Sequence, residues 1–372
     1  MPALFFYGTL RHLPLLEVVA GRESVQAEEA ILPDHAVHWV KGQPFPIMVQ
    51  APGRVAQGLW CPDLTEEDLA RLDFYEGGFG YGLVPVTVQV RGRDQSALVY
   101  LPDPDRWPLG ADWSLDDWVR DWGEMSVIAA GEAMARFGEI SASDLVGLLP
   151  AYRARAWANL MARETAPTDL RDQDADAAPQ FTRRGGYRGF FQLSAFEVSH
   201  KGFDGRDIGP VRREGFVAFD AALVLPFDPK TRDVLIIEQF RYGPLLRGER
   251  LARVLEPIAG LVDAGEDPME AARREAEEEA GLTLTEIVPM VRAYASPGYS
   301  SEFFHMFLAL ADLSGADGRL GGHPEENEDI KTHVLPLERA LELVDSGEIN
   351  ASPLAMMLLW LYRAEGRFRT PG

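Results

Sequence analysis

The sequence predicts an α+β protein built from two separate cores joined by a helical stretch. Three observations carry this. Short apolar runs punctuated by Pro and Gly fill residues 1 to about 105, and a helical period runs from Ser114 to Glu164. From Tyr187 to the end, strand-like runs alternate with well-capped helices. At 372 residues the chain has room for two or three domains, each burying its own core. We divide it as 1–105, 106–180 and 181–372.

In chain order, Leu4 to Tyr7 is an apolar run ending at Gly8, and Gln57 to Trp60 follows a turn. Leu83 to Val90 alternates and Ala97 to Tyr100 is apolar, so each of these four runs reads as a strand. Thr65 followed by Asp68 marks the start of a helix reaching Leu72. Ser114 with Asp116 and Asp117 opens the helical zone, which is rich in Trp107, Trp113, Trp118, Trp122 and Trp157. Aromatics at that spacing are read as packing. Thr165 to Pro179 is polar, acidic and rich in Pro and Ala, as a linker is. Strands are expected at Phe190–Val198, Ala221–Leu225, Val234–Glu238 and Phe303–Leu310. Pro268–Ala280 is a helix with Pro at its opening and Gly281 at its close, and Leu337–Ser346 and Ser352–Arg363 are two more.

Composition removes several function classes. With 36 Lys and Arg against 58 Asp and Glu, the formal charge of −22 opposes binding to nucleic acid or anionic lipid. Cys61 stands alone, so neither a disulfide framework nor a Cys-ligated zinc site can form within one chain. The seven histidines show no paired zinc spacing. The start has no basic segment or long apolar run, and Pro353–Leu361 is about half a membrane span. A cytoplasmic protein with no membrane partner is expected.

The most informative stretch is Gly260 to Leu282. Gly260, Glu266, Arg274, Glu275, Ala276, Glu278, Glu279, Gly281 and Leu282 fit the pattern G-x5-E-x7-R-E-U-x-E-E-x-G-U, where U is apolar. On a helix, Glu275 and Glu279 are neighbours on one face and Glu278 lies three residues from Glu275. Carboxylates gathered this way repel one another, and a hard divalent cation relieves the repulsion while bridging to phosphate oxygens. Arg274 is placed to hold their rotamers, and Gly260 and Gly281 are read as permitting a tight backbone at the start of the loop and the end of the helix.

This pattern resembles the signature of the Nudix hydrolases, whose fold is an α/β/α sandwich. Ala295-Ser296-Pro297-Gly298, Glu302, the run Glu325 to Asp329 and Glu238-Gln239-Phe240-Arg241 make residues 187–361 similar to the ADP-ribose pyrophosphatase branch. The resemblance implies that Mg2+, or Mn2+, is held by the Ala259 carbonyl, Glu275, Glu279 and Glu328. It implies Glu326 as the base, with Arg274 and Glu278 assisting catalysis. Arg241, Ser296 and Glu302 would lie along a nucleoside diphosphate substrate. Phe190 and Arg213 would reach the adenine from the second copy in a homodimer.

At the other end, Tyr7-Gly8-Thr9-Leu10 follows an apolar strand, and Leu72-Asp73-Phe74-Tyr75-Glu76-Gly77 follows the Thr65 helix. Together with Gly58-Leu59-Trp60, these make residues 3–105 similar to the gamma-glutamylcyclotransferase (AIG2-like) family, a small mixed β-barrel. There the loop matching Tyr7, Gly8, Thr9 and Leu10 grips a gamma-glutamyl group, and the Glu matching Glu76 moves the proton. Gly77 to Leu83 carries four glycines and departs from that family. Either an active cyclotransferase or a retained fold used for ligand sensing is compatible with this half, and a nucleotide sensor is the non-enzymatic alternative for the whole. The two-part order resembles bacterial proteins associated with tellurite resistance.

Overall fold

The computed structural model describes residues 3–102, 106–163, 170, 179–284, 286–322 and 328–368. Contacts divide the chain into two compact units, Met1–Glu164 and Thr165–Gly372.

The first unit contains β1 (Leu4–Phe6), α1 (Leu13–Ala20), β2 (Glu28–Val40), β3 (Pro46–Cys61), α2 (Glu66–Glu76), β4 (Gly82–Val90), β5 (Arg93–Leu101) and β6 (Leu109–Asp112). Helices α3 (Leu115–Trp118), α4 (Glu124–Met134) and α5 (Ala142–Met161) follow. Strand order β3-β1-β5-β4-β2, closed by the β2–β3 pairing, makes a five-stranded barrel, and β6 extends it from β2. The sheet is mixed because β1 runs parallel to β5 and antiparallel to β3. Both faces of β1 are buried: Phe5 and Tyr7 fill the barrel, while Leu4 and Phe6 pack against the helices with Leu15, Leu16, Trp118 and Tyr152. That double burial is why the run is continuously apolar.

Three expectations need correction here. The hairpin β2–β3 is far longer than Gln57–Trp60, because one face of each strand is wet and its polar residues hide the pattern. Helix α1 was not foreseen; Pro14 stands in its first turn and Leu15, Leu16, Val19 and Ala20 are buried. Helix α2 keeps the expected Thr65 cap, Asp68 N–H donating to Thr65 Oγ1 at 3.1 Å and Thr65 N–H to Asp68 Oδ2 at 2.8 Å, but runs on to Glu76. Residues beyond 105 belong to this unit by contact, since β6 pairs with β2 and α4 packs on α1. The expected linker lies outside the described residues except for Leu170 and Pro179.

The second unit begins with an antiparallel sheet of β7 (Gln180–Arg188), β8 (Gln192–Lys201) and β9 (Asp207–Val217). Phe190 and Phe191 sit in the turn before β8, so the expected strand starts two residues late. Next come β10 (Asp220–Asp228), β11 (Asp233–Phe240), α6 (Tyr242–Arg247), β12 (Arg253–Glu256), β13 (Ile258–Leu261) and α7 (Pro268–Ala280). The chain continues with β14 (Glu286–Tyr294), β15 (Phe303–Leu310), β16 (Leu320–Gly321), β17 (Ile330–Pro336), α8 (Leu337–Ser346) and α9 (Ser352–Ala364). The central sheet runs β14-β15-β10-β11-β17-β16, with β12 on β11 and β13 on β10. Helix α7 covers one face through Ala271, Ala272 and Ala276, and α8 and α9 cover the other through Leu337, Leu343, Leu354 and Leu358. The result is the expected α/β/α sandwich. Among the described residues no helix is long and apolar enough to cross a membrane.

Candidate functional site

Helix α7 is the organising element of the second unit. Asp267 Oδ1 accepts from Met269 N–H at 2.8 Å at its start, and Gly281 closes it in the left-handed region at φ 62°. Its alanine face lies on β10 and β13, which turns Glu275 and Glu279 inward. Glu279 is 2% exposed, and the Ala259 N–H donates to its Oε2 at 3.2 Å. Arg274 is a clamp: Nε and Nη2 donate to the two oxygens of Glu266 at 3.0 Å each, Nη2 also reaches the Leu261 carbonyl at 3.1 Å, and Nη1 donates to Glu275 and to Glu278, the latter at 3.2 Å. Burial alone would lower the Arg274 pKa, but its carboxylate partners raise it on balance, so it stays charged.

The carboxylates are held under electrostatic pressure. Burial pushes Glu275 up to about 7, with Arg274 opposing and the charges of Glu278 and Glu328 adding to the rise. Glu279 is raised well above the carboxylate range by burial and then by Glu275 and Glu328, against the pull of the Ala259 N–H and Arg241. At 1.36 kcal/mol per pK unit, holding Glu275 ionised costs on the order of 3 kcal/mol. Glu302 is also raised by burial and eased by Arg241, which donates from Nε to Glu256 Oε2 at 2.7 Å. A single region of the unit thus gathers Ala259, Arg241, Arg274, Glu275, Glu278, Glu279, Glu302 and Glu328.

In the first unit the two motif segments also meet. Glu76 is the last residue of α2 and leads into a 3-10 turn, Gly77–Phe79. Its carboxyl is pushed up to about 7 by burial. Burial is the first cause that raises Tyr7, Tyr75, Tyr81 and Tyr100; the charge of Glu76 comes next for Tyr75 and Tyr81, after Tyr81 for Tyr7, and after the Asp73 hydrogen bond and charge for Tyr100, so four neutral phenols lie within its field. Gly8 precedes a 3-10 turn, Thr9–Arg11, that contains the rest of the loop.

Glu76 titrates between its unfolded value of 4.5 and about 7, so its effect on stability has a defined sign. Below pH 4.5 both states hold the proton. Between the two values only the folded state does, so stability falls as pH rises and levels off above pH 7. Glu76→Gln removes that burden. In urea melts the variant is expected to match the parent at pH 4 and to exceed it at pH 8 by on the order of 3 kcal/mol. Equal stability at pH 8 would show that the carboxyl is not buried.

Comparison with known proteins is informative for both units. Residues 218–355 match the NUDIX domain model, and residues 4–120 match the model described as gamma-glutamyl cyclotransferase, AIG2-like. The ADP-ribose pyrophosphatase of Escherichia coli strain K12 is 39% identical over 175 residues, 47% of this chain and 83% of that protein. The chain belongs to the Nudix hydrolase family. The Haemophilus influenzae ADP-ribose pyrophosphatase is 38% identical over 177 residues, covering 47% of this chain and 81% of its own. A GDP-mannose pyrophosphatase of Escherichia coli O1:K1 is 32% identical over 150 residues, 40% of this chain and 77% of its own. A solved structure described as an ADP compounds hydrolase aligns over 51% of this chain and 95% of its own, at 18% identity and a TM-score of 0.39.

The Nudix site differs from its reading in sequence at one signature residue. Gly260 lies within β13, opposite Ala222, with no left-handed φ. Its role is room rather than backbone freedom: a Cβ there would stand 1.8 Å from Glu275 Oε1. Ser296 opens the turn to Ser300, its carbonyl accepting from Tyr299 and Ser300 N–H. Phe190 packs on Phe191 and Phe219, and Arg213 donates to the Arg212 carbonyl on β9. Glu326 lies outside the described residues.

Two supports of the Nudix site went unread. Gly321 brings the end of β16 onto the end of α7, where a Cβ at Gly321 would meet the Glu279 carbonyl at 2.0 Å and one at Gly322 the Glu328 Cβ at 2.8 Å. The Gly-Gly pair just before the acidic run was the available signal. The other, Glu256 holding Arg241, had no signal, because β11 and β12 pair only in three dimensions.

The donor set suits a hard divalent cation. Glu279 is a buried acid that accepts from the Ala259 N–H, its field shared with Glu275 and Glu328. Among the described residues no three acidic, imidazole or thiol side chains yet converge as a complete ligand set. Arg274 donates to Glu275, and the Ala259 N–H donates to one oxygen of Glu279.

Proposed function

We propose that the Nudix unit hydrolyses the diphosphate of ADP-ribose to AMP and ribose 5-phosphate with Mg2+, for which Mn2+ can substitute. The observation that carries this is the buried pair Glu275 and Glu279, ionised only at a cost that a cation removes. Glu275, Glu279, Glu328 and the Ala259 carbonyl would hold the metal, whose chemistry is to neutralise charge on the diphosphate and acidify a bound water. Arg274 keeps Glu275 and Glu278 in place. Arg241, set among Glu256, Glu279 and Glu302, offers a cation to the anionic substrate. Glu326 takes the proton from the attacking water, a role carried by resemblance alone.

The relatives named ADP-ribose pyrophosphatase favour this substrate, and Phe190 and Arg213 of a second copy would complete the adenine site in a cytoplasmic homodimer. The test is release of AMP from ADP-ribose by the full chain in a magnesium titration, beside GDP-mannose and other nucleoside diphosphate sugars. AMP formed only with divalent metal, and fastest from ADP-ribose, is expected. A preference for GDP-mannose would replace the substrate, and no turnover of any of them would leave the sensor reading.

A second reading rests on Glu76 among four phenols. The first unit acts as a gamma-glutamyl cyclotransferase: the substrate α-amine attacks its own γ-carbonyl carbon, forming one C–N bond as the bond to the leaving amine breaks. The proton lost by the attacking nitrogen passes through Glu76 to the leaving amine, giving 5-oxoproline with no water consumed. A carboxyl near pH 7 suits both halves of that transfer.

A further inference from the structure

Strand β11 alternates between the two faces of the central sheet. Val234 and Ile236 belong to the apolar cluster that also holds Leu354 and Leu358 of α9. Leu235, Ile237 and Gln239 therefore face the opposite side, the one covered by α7. Leu235 and Ile237 are fully buried there, as apolar side chains should be. Gln239 is the exception. It is 5% exposed, and its Nε2 is shielded from water without a hydrogen-bond partner among the described residues. An amide nitrogen carries two donors, and leaving them buried and unpaired destabilises the folded chain.

The ladder shows which acceptors come near. Gln239 pairs with Val254 on β12 and with Ile330 on β17, so these three side chains share a face. Long side chains on a sheet also reach their diagonal neighbours. Three residues two positions from these partners carry side-chain oxygens. Glu256, beyond Val254, already accepts from Arg241 Nε at 2.7 Å. The Thr332 hydroxyl, beyond Ile330, donates to the Ala316 carbonyl at 2.5 Å and accepts from the Arg319 N–H at 3.0 Å. Glu328 is the third, two residues before Ile330 at the entrance to β17. Gly321 pairs with Ile330, and the space beside Gly322 is filled by Glu328 Cβ, so this stretch is held close to the sheet. The charge of Glu328 acts on both Glu275 and Glu279, which places it on the α7 side with Gln239.

We propose that Gln239 is a positioning residue of the Nudix unit: its carboxamide donates to the Glu328 carboxylate and fixes the rotamer in which Glu328 holds a divalent cation. This rests on the metal-dependent reading of that unit. The donors are left without a partner in the protein alone, and the compensating hydrogen bond comes with the metal-bound arrangement of Glu328. Gln239 touches neither the cation nor the substrate, and no bond to it forms or breaks.

Gln239→Met keeps the length of the side chain and removes the donors. The readouts are Mn2+ binding to the full chain, followed by electron paramagnetic resonance of the free ion, and urea unfolding of the metal-free protein. The Mn2+ binding that counts is the part lost in Glu279→Gln. Gln239→Met is expected to weaken it by roughly 10-fold or more, the scale of losing a group that orients a metal ligand. The metal-free variant is expected to unfold at a higher urea concentration than the parent, because a buried unpaired amide has been replaced by a thioether. Removing a merely structural glutamine would instead lower the midpoint and leave Mn2+ affinity alone. In a Glu328→Ala background, Gln239→Met is expected to bring no further loss of affinity, since the two residues act as one.

Unchanged Mn2+ affinity in Gln239→Met, or an undiminished loss in the Glu328→Ala background, overturns the inference and leaves the metal site intact. Gln239→Leu, read in the same way, takes its place if the first variant does not fold, and failure of both to fold marks a structural glutamine and overturns the inference as well. A parent with no Mn2+ binding sensitive to Glu279→Gln removes the metal reading and this inference together.

Discussion

Glu279→Gln is expected to lower magnesium-supported turnover of ADP-ribose by roughly 10³-fold, the scale of losing one preorganised electrostatic group at a reacting centre, and at the same time to make the second unit more stable. The two effects have one cause. Glu279 is 2% exposed, accepts a hydrogen bond from the Ala259 N–H, and feels Glu275 and Glu328. Glutamine has nearly the same shape, so its oxygen still accepts from Ala259 while the buried charge is gone. Sites built to bind cations store this kind of conflict, and removing it trades activity for stability. AMP release at saturating magnesium and urea unfolding at pH 8 are the measurements. Turnover within a few-fold of the parent would exclude the proposed metal site, and unchanged stability would mean that the acid is not under pressure when free of metal.

Gly260→Ala is the smallest change expected to disable the same site. The new Cβ would stand 1.8 Å from Glu275 Oε1 and 1.9 Å from its Cδ, distances no pair of heavy atoms sustains. Since Gly260 has no left-handed φ, alanine suits its backbone and β13 keeps its pairing with β10. Glu275 must move instead, away from the hydrogen bond of Arg274. Displacing a catalytic group by about 1 Å costs roughly 10²-fold in rate, and overpacking costs about 1–3 kcal/mol in stability. The expected outcome is a folded protein with turnover reduced on that scale and a higher magnesium requirement. Activity equal to the parent would mean that Glu275 is not used where it stands.

The helix that carries the carboxylates was fully legible. Its Pro at the start, Gly at the end and alanine face are local signals, and α7 matches Pro268–Ala280 residue for residue. Leu337–Ser346 and Phe303–Leu310 were read equally well, because each is a strongly patterned run with one clear boundary chemistry. The β2–β3 hairpin was not, because half of its side chains face water and its identity comes from the ladder across the barrel. Gly260 was recognised for the wrong reason: sequence shows that a glycine is required, but only the packed structure shows what occupies its missing side chain. Trp107 was read as part of a packing segment, and nothing local distinguishes a free indole N–H from a paired one.

From the residues alone came the alternation of strand-like and helical stretches and the acidic helix with its arginine clamp. These depend on spacing along the chain, which periodicity and capping translate directly into geometry. Which acids are driven to an uneasy charge, which glycines make room, and which donors remain without an acceptor were decided by the folded protein. Each depends on what a distant strand or loop brings within a few ångströms and how thoroughly it excludes water.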